Sequence, residues 1–314
     1  MAKRALGPAT LALTAAVREH CDPAHPWLVG CSGGRDSLAL AVVATQVAVS
    51  CDVECRALVV DHGLQDGSER VAAAVVAQLE TRGVAVSSVR VTVQPEGGPE
   101  AGARRARYAA LRAAAAGGEV LLGHTLDDQA ETVLLGLARG SGTRSLAGMA
   151  VRTDDLVRPL LGLRRAVTAQ ACEELGLEWW DDPHNDSPAY ARSRVRTTAL
   201  PVLESALGPG VAEALARTAR LSRDDADLLD RLAAEAVDPT ATELDAVMLA
   251  GLAPALRRRG LLAWLRAQGA GDLQLVHLDA VDALVTRWHG QGPIDLPGGF
   301  RVTRSEGHLR ASTD

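Results

Sequence analysis

The sequence predicts an α/β chain in which an open, parallel, twisted sheet is covered by helices on both faces and is followed by a smaller α+β C-terminal domain. Three observations predict this. Short apolar runs alternate with Ala-rich helical stretches from residue 27 to about residue 135, and strands separated by helices pair in parallel through right-handed crossovers. Three of the runs lead directly into Ser32, Asp61 and His124, as expected of a sheet whose site lies along the carboxyl rim. The texture changes near residue 240, where a helical repeat is followed by a Pro-Gly-Gly turn between apolar pairs.

Taken in order, Leu6, Thr10, Leu13 and Val17 mark one side of an opening helix. The strands expected are Trp27–Cys31, Arg56–Val60, Ser87–Val93 and Val120–Gly123, with helices near 37–49, 68–82 and 99–117 between them. This register puts residues 32–37, 61–63 and 124–131 on a single rim. A helix over Arg164–Leu175 comes next, then an irregular polar stretch around residues 179–201. Residues 208–239 read as a helical connector. In the tail, Leu278, Val281, Val285 and Trp288 recur at helical spacing, and Pro297-Gly298-Gly299 turns between Ile294/Leu296 and Phe300/Val302. The expected domains are 1–207, the connector 208–239, and 240–314, in keeping with 314 residues at ~100–200 per domain.

Composition excludes several classes. Lys3 is the only lysine among 33 basic residues, so neither a Walker-type phosphate loop nor a Schiff-base lysine is available. The net charge of −6 announces no polyanionic partner, although six arginines between residues 139 and 165 face only Asp154 and Asp155 there. Five cysteines without a C-x-x-C pair read as free thiols, and no apolar run is long enough to span a membrane. A cytoplasmic protein with no membrane partner is therefore expected.

The most informative segment is an apolar strand, the loop Ser32-Gly33-Gly34-Arg35-Asp36-Ser37, and an apolar helix. Gly33 and Gly34 are expected at positive φ, aiming successive N–H groups at an anion on the helix N-terminus. Without a lysine, Ser32 and Ser37 would donate hydroxyls and Asp36 would hold Mg²⁺ against phosphates. Asp127, Asp128 and Glu131 open a further helix, and residues three apart share a face, so Asp128 and Glu131 suit an ammonium group or a second metal. Arg104, Arg105, Arg107 and Tyr108 open another. Arg192, Arg194 and Arg196 are read as alternating along an extended strip beside Tyr190, suited to an RNA backbone and an unstacked base.

The loop S-G-G-x-D-S after a strand resembles the PP-loop of the N-type ATP pyrophosphatases, whose fold is PP-loop ATPase, adenine nucleotide alpha hydrolase-like. Six further segments narrow the resemblance: Val59-Val60-Asp61-His62-Gly63-Leu64; Gly123-His124 with Asp127-Asp128-Gln129-Ala130-Glu131-Thr132; Arg139-Gly140-Ser141-Gly142; Leu146-Ala147-Gly148-Met149; Arg158-Pro159-Leu160-Leu161; and Asp182-Pro183 with Asn185. Together they are similar to the tRNA(Ile)-lysidine synthetases, densely over about residues 25–203. The chain departs from the family pattern at Thr125 (usually His), Gln65 (often Arg), His184 (Ser) and Ser193 (Asn).

The resemblance implies ATP and Mg²⁺ as cofactors, with free L-lysine and CAU-anticodon isoleucine tRNA as partners. Cytosine O2 would attack the α-phosphate, and the lysine amine would then displace AMP. It further implies ATP binding at Ser32–Ser37, Asp61 and His62, catalytic duty for Asp36, His124, Asp128 and Glu131, and substrate or tRNA contacts at Arg104, Arg107, Asp127, Arg139, Arg192, Arg194 and Arg196. The C-terminal unit, with Arg257, Arg258, Arg259, Arg301, Arg304 and Arg310, is expected to position tRNA, and a homodimer is left open. Competing readings are a PP-loop 2-thiolase, a PP-loop amide synthetase and a non-catalytic nucleotide sensor. The missing C-x-x-C argues against the first, and the intact acidic helix argues against the last.

Overall fold

The computed structural model describes residues 6–63, 67–94, 99–140, 142–180 and 188–313. The chain divides into two compact units, residues 1–140 with 145–219, and residues 141–144 with 220–314. The first unit runs α1 (Pro8–His20), β1 (Trp27–Cys31), α2 (Arg35–Cys51), β2 (Cys55–Asp61), α3 (Ser68–Glu80), β3 (Ala85–Arg90), α4 (Pro99–Ala115), β4 (Glu119–Leu122) and α5 (Leu126–Ala138). After α6 (Thr143–Leu146) come the two-residue strands β5 (Arg152–Thr153) and β6 (Leu156–Val157), then α7 (Arg165–Leu175), α8 (Ala191–Arg194) and α9 (Leu200–Leu207). The long α10 (Val211–Ala236) begins in the first unit and ends in the second, so the expected connector is a helix shared by both.

The sheet order is β3-β2-β1-β4-β6-β5. All neighbours are parallel except β5 and β6, which pair antiparallel as a tight return. Chain order runs outward one way from β1 to β3 and the other way through β4, so the strand order reverses between the parallel neighbours β1 and β4. Crevices at such a switch point are where α/β sheets bind ligands. The Ser32–Ser37 loop follows β1, and His124 follows β4.

The first half of helix α2 is apolar all round because Ser37–Ala44 are covered all round; Leu38, Leu40 and Val43 have no exposed surface. Leu13 and Val17 of α1 are equally buried, as their spacing predicts. The Glu174 carboxylate caps the start of α1, accepting from Ala9 N (3.1 Å), Thr10 N (2.8 Å) and Thr10 Oγ1 (2.7 Å).

The second unit adds β7 (Glu243–Asp245), α11 (Ala246–Gly251), α12 (Pro254–Ala267), α13 (Leu275–Thr286), β8 (Ile294–Leu296), β9 (Phe300–Ser305) and β10 (His308–Thr313), with an antiparallel sheet ordered β7-β10-β9-β8. Its core packs around Trp264, Leu261, Leu284, Val302 and Leu309. The hairpin forms in the expected register, Ile294 opposite Val302 and Leu296 opposite Phe300. Helix α13 stops before Trp288, whose ring instead carries the Arg304 guanidinium at 5.2 Å.

The arginine run is not a solvated basic strip. Arg257 is buried against Asp282 (2.6 Å), Arg258 pairs with Asp279 (3.0 Å), and Arg259 pairs with Asp230 (3.3 Å). Arg301 pairs with Asp295 and Arg310 with Glu243, each at 2.8 Å. The acids come from neighbouring elements, Asp279 and Asp282 from α13 and Asp230 from α10, and a guanidinium removed from water, as Arg257 is, takes the nearest carboxylate.

Of the two loop glycines only Gly33 has a positive φ, +84°; Gly34, at φ −74°, is the N-cap of α2. A Cβ on Gly33 would also meet Val75 Cγ2 at 2.6 Å. Gly33→Ala is therefore expected to cost about 1–2 kcal/mol for the left-handed backbone alone, with the Val75 contact added; urea unfolding monitored by circular dichroism measures it. A loss near zero would show that the loop relaxes out of this conformation.

Candidate active site

The loop braces itself. Ser37 Oγ donates to Gly34 O (2.9 Å) and accepts from Ser32 N (3.1 Å), so this buried hydroxyl shapes the turn, while Ser32 is the exposed one. Gly123 at the end of β4 lies so close that a Cβ there would meet Ser37 N and the Asp36 carbonyl carbon at 3.0 Å, which keeps that position free of a side chain. Trp180 N donates to Gly33 O (3.1 Å), and the Arg35 guanidinium lies over the Trp179 ring at 5.4 Å. Asp36 accepts from Thr168 Oγ1 and has Arg165 Nε 3.6 Å away. Burial pushes its carboxyl up to about 6 despite the opposing pull of Thr168 and Arg165.

Behind the loop lies a dense charge cluster. Glu131 has no exposed surface, and both of its oxygens are filled: Oε1 by Arg196 Nε (2.7 Å) and Arg165 Nη2 (3.2 Å), Oε2 by Arg192 Nε (2.7 Å) and Arg196 Nη2 (3.2 Å). Asp128 is saturated as well. Its Oδ1 accepts from Arg165 Nη2 (3.0 Å) and Arg192 Nη2 (3.3 Å), and its Oδ2 from Thr125 N and Oγ1, both at 2.8 Å. Burial raises the Asp128 carboxyl, but Arg165, Arg192 and the Thr125 amide outweigh it and hold the group at about 2. Thr125, the departure from the family's second His, is thus fully buried and tied to the first turn of α5.

The same contacts revise the reading of residues 192–196. The segment is helical: α8 runs into a π-turn over Val195–Ala199. Arg192 and Arg196, four apart, share the face toward Glu131. Arg194 turns away and donates to Pro188 O (2.7 Å) and Ala189 O (3.0 Å). Ser193, where the family has Asn, is buried.

Arg165 and Arg164 escaped the sequence reading. Arg165 N donates to Asp127 Oδ2 (2.7 Å), and Arg164 Nη2 meets Asp127 Oδ1 at 3.1 Å. A signal was available, because two cations at a helix N-terminus oppose its dipole and require acids to hold them. Beside the cluster opens a pocket of about 180 Å³ walled by Asp127, Glu131 and Glu204 and by Arg164, Arg165 and Arg196, with Leu200, Pro201 and Ala212 completing it. Asp128 does not face this pocket.

On the α4 side of the rim the charge is positive. The Arg104 and Arg107 guanidiniums lie 4.8 and 5.4 Å from the Tyr108 ring centroid. Arg158, after β6, is buried and donates to Ala150 O (2.9 Å). The Nε atoms of Arg107 and Arg158 and Nδ1 of His62 and His124 are buried without a hydrogen-bond partner. Burial, reinforced by Arg158, Arg192 and Arg107, takes His124 down to about 3, so its imidazole is neutral at working pH. Burial and then Arg107 also lower His62. Asp61 accepts from Gly63 N (2.9 Å) at the end of β2. Arg139 is exposed at the end of α5. Leu64, Gln65, Ser141, and Asp182 to Ser187 with His184 and Asn185 lie outside the described residues.

Residues 9–203 match the PP-loop domain family, and residues 244–310 match the TilS substrate binding domain. A protein of Leifsonia xyli subsp. xyli (strain CTCB07) named tRNA(Ile)-lysidine synthase is 53% identical over 293 residues, spanning 90% of this chain and 88% of that one. Its namesake in Thermobifida fusca (strain YX) is 53% identical over 91% of both chains, and that of Salinispora arenicola (strain CNS-205) is 51% identical over 97% of both. Among solved structures, the U34-tRNA thiolase NcsA from Methanococcus maripaludis superposes with a TM-score of 0.57 at 20% identity, covering 68% of this chain and 78% of that one. At that identity the likeness is one of fold.

Two stability effects follow from the cluster. Glu131→Gln leaves three guanidiniums short of a buried charge and is expected to cost about 3–5 kcal/mol, measured by urea unfolding. Asp128→Asn is expected to cost about 2 kcal/mol at pH 7, at ~1.4 kcal/mol per pKa unit. Because the folded value lies below the ordinary one, this stabilisation is complete above about pH 4 and is lost as pH falls toward 2. A wild-type-to-variant difference that does not shrink between pH 4 and pH 2.5 would contradict the assignment.

Proposed function

The chain belongs to the tRNA(Ile)-lysidine synthase family, and on that premise we propose how its residues divide the reaction. The reaction joins free lysine to C2 of the wobble cytidine of CAU-anticodon isoleucine tRNA at the expense of ATP, by way of an adenylated tRNA. The reading rests on one observation: a single guanidinium–carboxylate cluster both contacts the PP-loop at Asp36 and lines a mixed-charge pocket.

The adenylation half-site is the crevice at the switch point. The amides of the Gly33–Asp36 turn and the N-terminus of α2 meet the phosphates, with Ser32, exposed and 3.2 Å from Ser37 Oγ, as the accessible hydroxyl. Asp36 suits Mg²⁺: it is the loop's one carboxylate, and among the described residues no three His, Cys, Asp or Glu side chains group to form an all-protein cage, which matches a cation held by one or two carboxylates plus substrate phosphates. Bound there, the ion would screen charge gathering on the departing pyrophosphate. The unpartnered Nε atoms of Arg107 and Arg158, with Arg104 nearby, supply positive charge on the other side of the crevice. His62 and neutral His124 contribute hydrogen bonds, and His124 is too weak a base to move protons at neutral pH.

The lysine half-site is the pocket. A zwitterion with a second ammonium needs both signs of charge, and the walls carry three acids and three arginines. Arg164 takes the carboxylate and Asp127 faces the amine, whose ordinary pKa of ~10.4 requires a proton acceptor before attack on C2, while Glu131 and Arg196, bound to each other, fix the wall of the pocket. Asp128, held at about 2, serves as a positioning residue rather than a base. Exposed Arg104, Arg139 and Arg194 suit RNA phosphates, with the C-terminal unit positioning the tRNA. The cytoplasm is the compartment this substrate implies. A thiolase chemistry finds no support in the cysteines, since burial pushes the Cys21 and Cys172 thiols up to about 12 and Cys55 to about 11.

Incorporation of labelled lysine into CAU-anticodon tRNA should require ATP, lysine and tRNA together; incorporation without ATP would refute the reading. Asp36→Ala should lower tRNA-dependent pyrophosphate release by at least about 100-fold while preserving the fold. Asp127→Asn should raise the lysine KM about tenfold or more and leave ATP affinity within about twofold, since losing a charged hydrogen bond costs about 1.5–3 kcal/mol. A selective loss of ATP binding would instead move Asp127 to phosphate or metal duty.

A further inference from the structure

One side chain belongs to both half-sites. Arg165 places Nε 3.6 Å from Asp36 Oδ2 on the loop side, and divides Nη2 between Asp128 Oδ1 (3.0 Å) and Glu131 Oε1 (3.2 Å) on the other. Its backbone N–H holds Asp127 (2.7 Å), and its side chain lines the pocket. It therefore touches four of the rim carboxylates, Asp36, Asp127, Asp128 and Glu131, and among the described residues it is the one arginine paired with Asp36 and with the acid pair at once.

We infer that Arg165 couples nucleotide binding to lysine binding, so that a divalent cation with nucleotide at Asp36 tightens the pocket for lysine. The inference rests on the pocket being the lysine site. The physical reason is charge competition. A guanidinium already seated beside Asp36 satisfies a carboxylate that burial makes costly to ionise. A divalent cation arriving at that carboxylate repels the guanidinium a few ångströms away, with no room for both at full strength. Arg165 keeps a hold when Nε is displaced, since its Nη2 is already anchored on Asp128 and Glu131. Loss of the Asp36 partner turns its Nε edge toward the pocket it lines, where the one unpaired anion the reaction brings is the carboxylate of free lysine. Arg192 and Arg196 keep Glu131 neutralised during the exchange, so the acid pair does not pull Arg165 back. Coupling of this kind is reciprocal: lysine must tighten the Mg²⁺–nucleotide complex by the same factor.

The test is calorimetry on the full-length protein with L-lysine as titrant, alone and with saturating α,β-methylene-ATP, which cannot be cleaved between its α and β phosphates. With Mg²⁺ the lysine Kd is expected to fall by at least about fivefold; with the nucleotide in EDTA, at most about twofold. Arg165→Lys, which keeps one charge but cannot span both sides, is expected to bind each ligand yet lose the coupling, and Thr168→Val, which leaves Arg165 in place, to retain it. Should Arg165→Lys not fold, the comparison of Mg²⁺ with EDTA in the wild type decides alone. Equal lysine isotherms with and without Mg²⁺–nucleotide would overturn the coupling while leaving the pocket assignment standing. Absence of lysine binding under every condition would overturn the pocket assignment and the coupling with it.

Discussion

Glu131 carries a full carboxylate with no exposed surface, and the rest of the site is arranged around keeping it neutralised. A lone carboxylate taken out of water would cost several kcal/mol. Here three guanidiniums from three segments, α7, α8 and the π-turn, converge on its two oxygens. Each arginine then has donors left over, and these reach Asp128 and Asp36. One buried charge thereby fixes the start of α7, the face of α8 and the first turn of α5 against one another. The cluster so formed contacts the PP-loop at Asp36 and lines a pocket of mixed charge.

Sheet topology decides what that cluster faces. Strands β1 and β4 are adjacent and their chain connections diverge, so the loop after β1 and the His124 turn after β4 open into one crevice. Backbone proximity is enforced by two glycines, Gly33 through its positive φ and Gly123 through its contact with the start of α2. A chain whose only lysine is Lys3 cannot neutralise phosphates in the Walker manner. On the proposed reading it relies instead on backbone amides, one hydroxyl, one carboxylate, and Arg107 and Arg158, whose Nε atoms are buried and unpartnered.

Much of this was legible before any coordinates. Alternating apolar runs and helical stretches located four strands and their helices within a few residues, because a sheet buried on both faces leaves continuous apolar segments. The PP-loop, the acidic helix and the C-terminal hairpin were read in place. The two-residue strands β5 and β6 were not, since so short a return has no periodicity to detect. Arg192, Arg194 and Arg196 alternate in a way that suits a strand, yet Arg192 and Arg196 are also four apart, and the helical alternative won because it sends both to Glu131. That acid lies 61 and 65 residues earlier in the chain, so no local pattern could announce the pairing. The same holds for Arg257 and Asp282, 25 residues apart, where one member of a basic run proved to be a buried ion pair.

The central claim is that two half-sites, sharing one charge cluster, act in sequence on the same cytidine. Rapid-quench measurement of pyrophosphate with enzyme in excess, ATP and CAU-anticodon tRNA, but no lysine, tests it most directly. The account predicts a single burst of pyrophosphate approaching one equivalent per tRNA, and an adenylated tRNA that lysine added later converts to lysidine with release of AMP. Pyrophosphate release that waits for lysine, or AMP release with no adenylated tRNA formed, would contradict it.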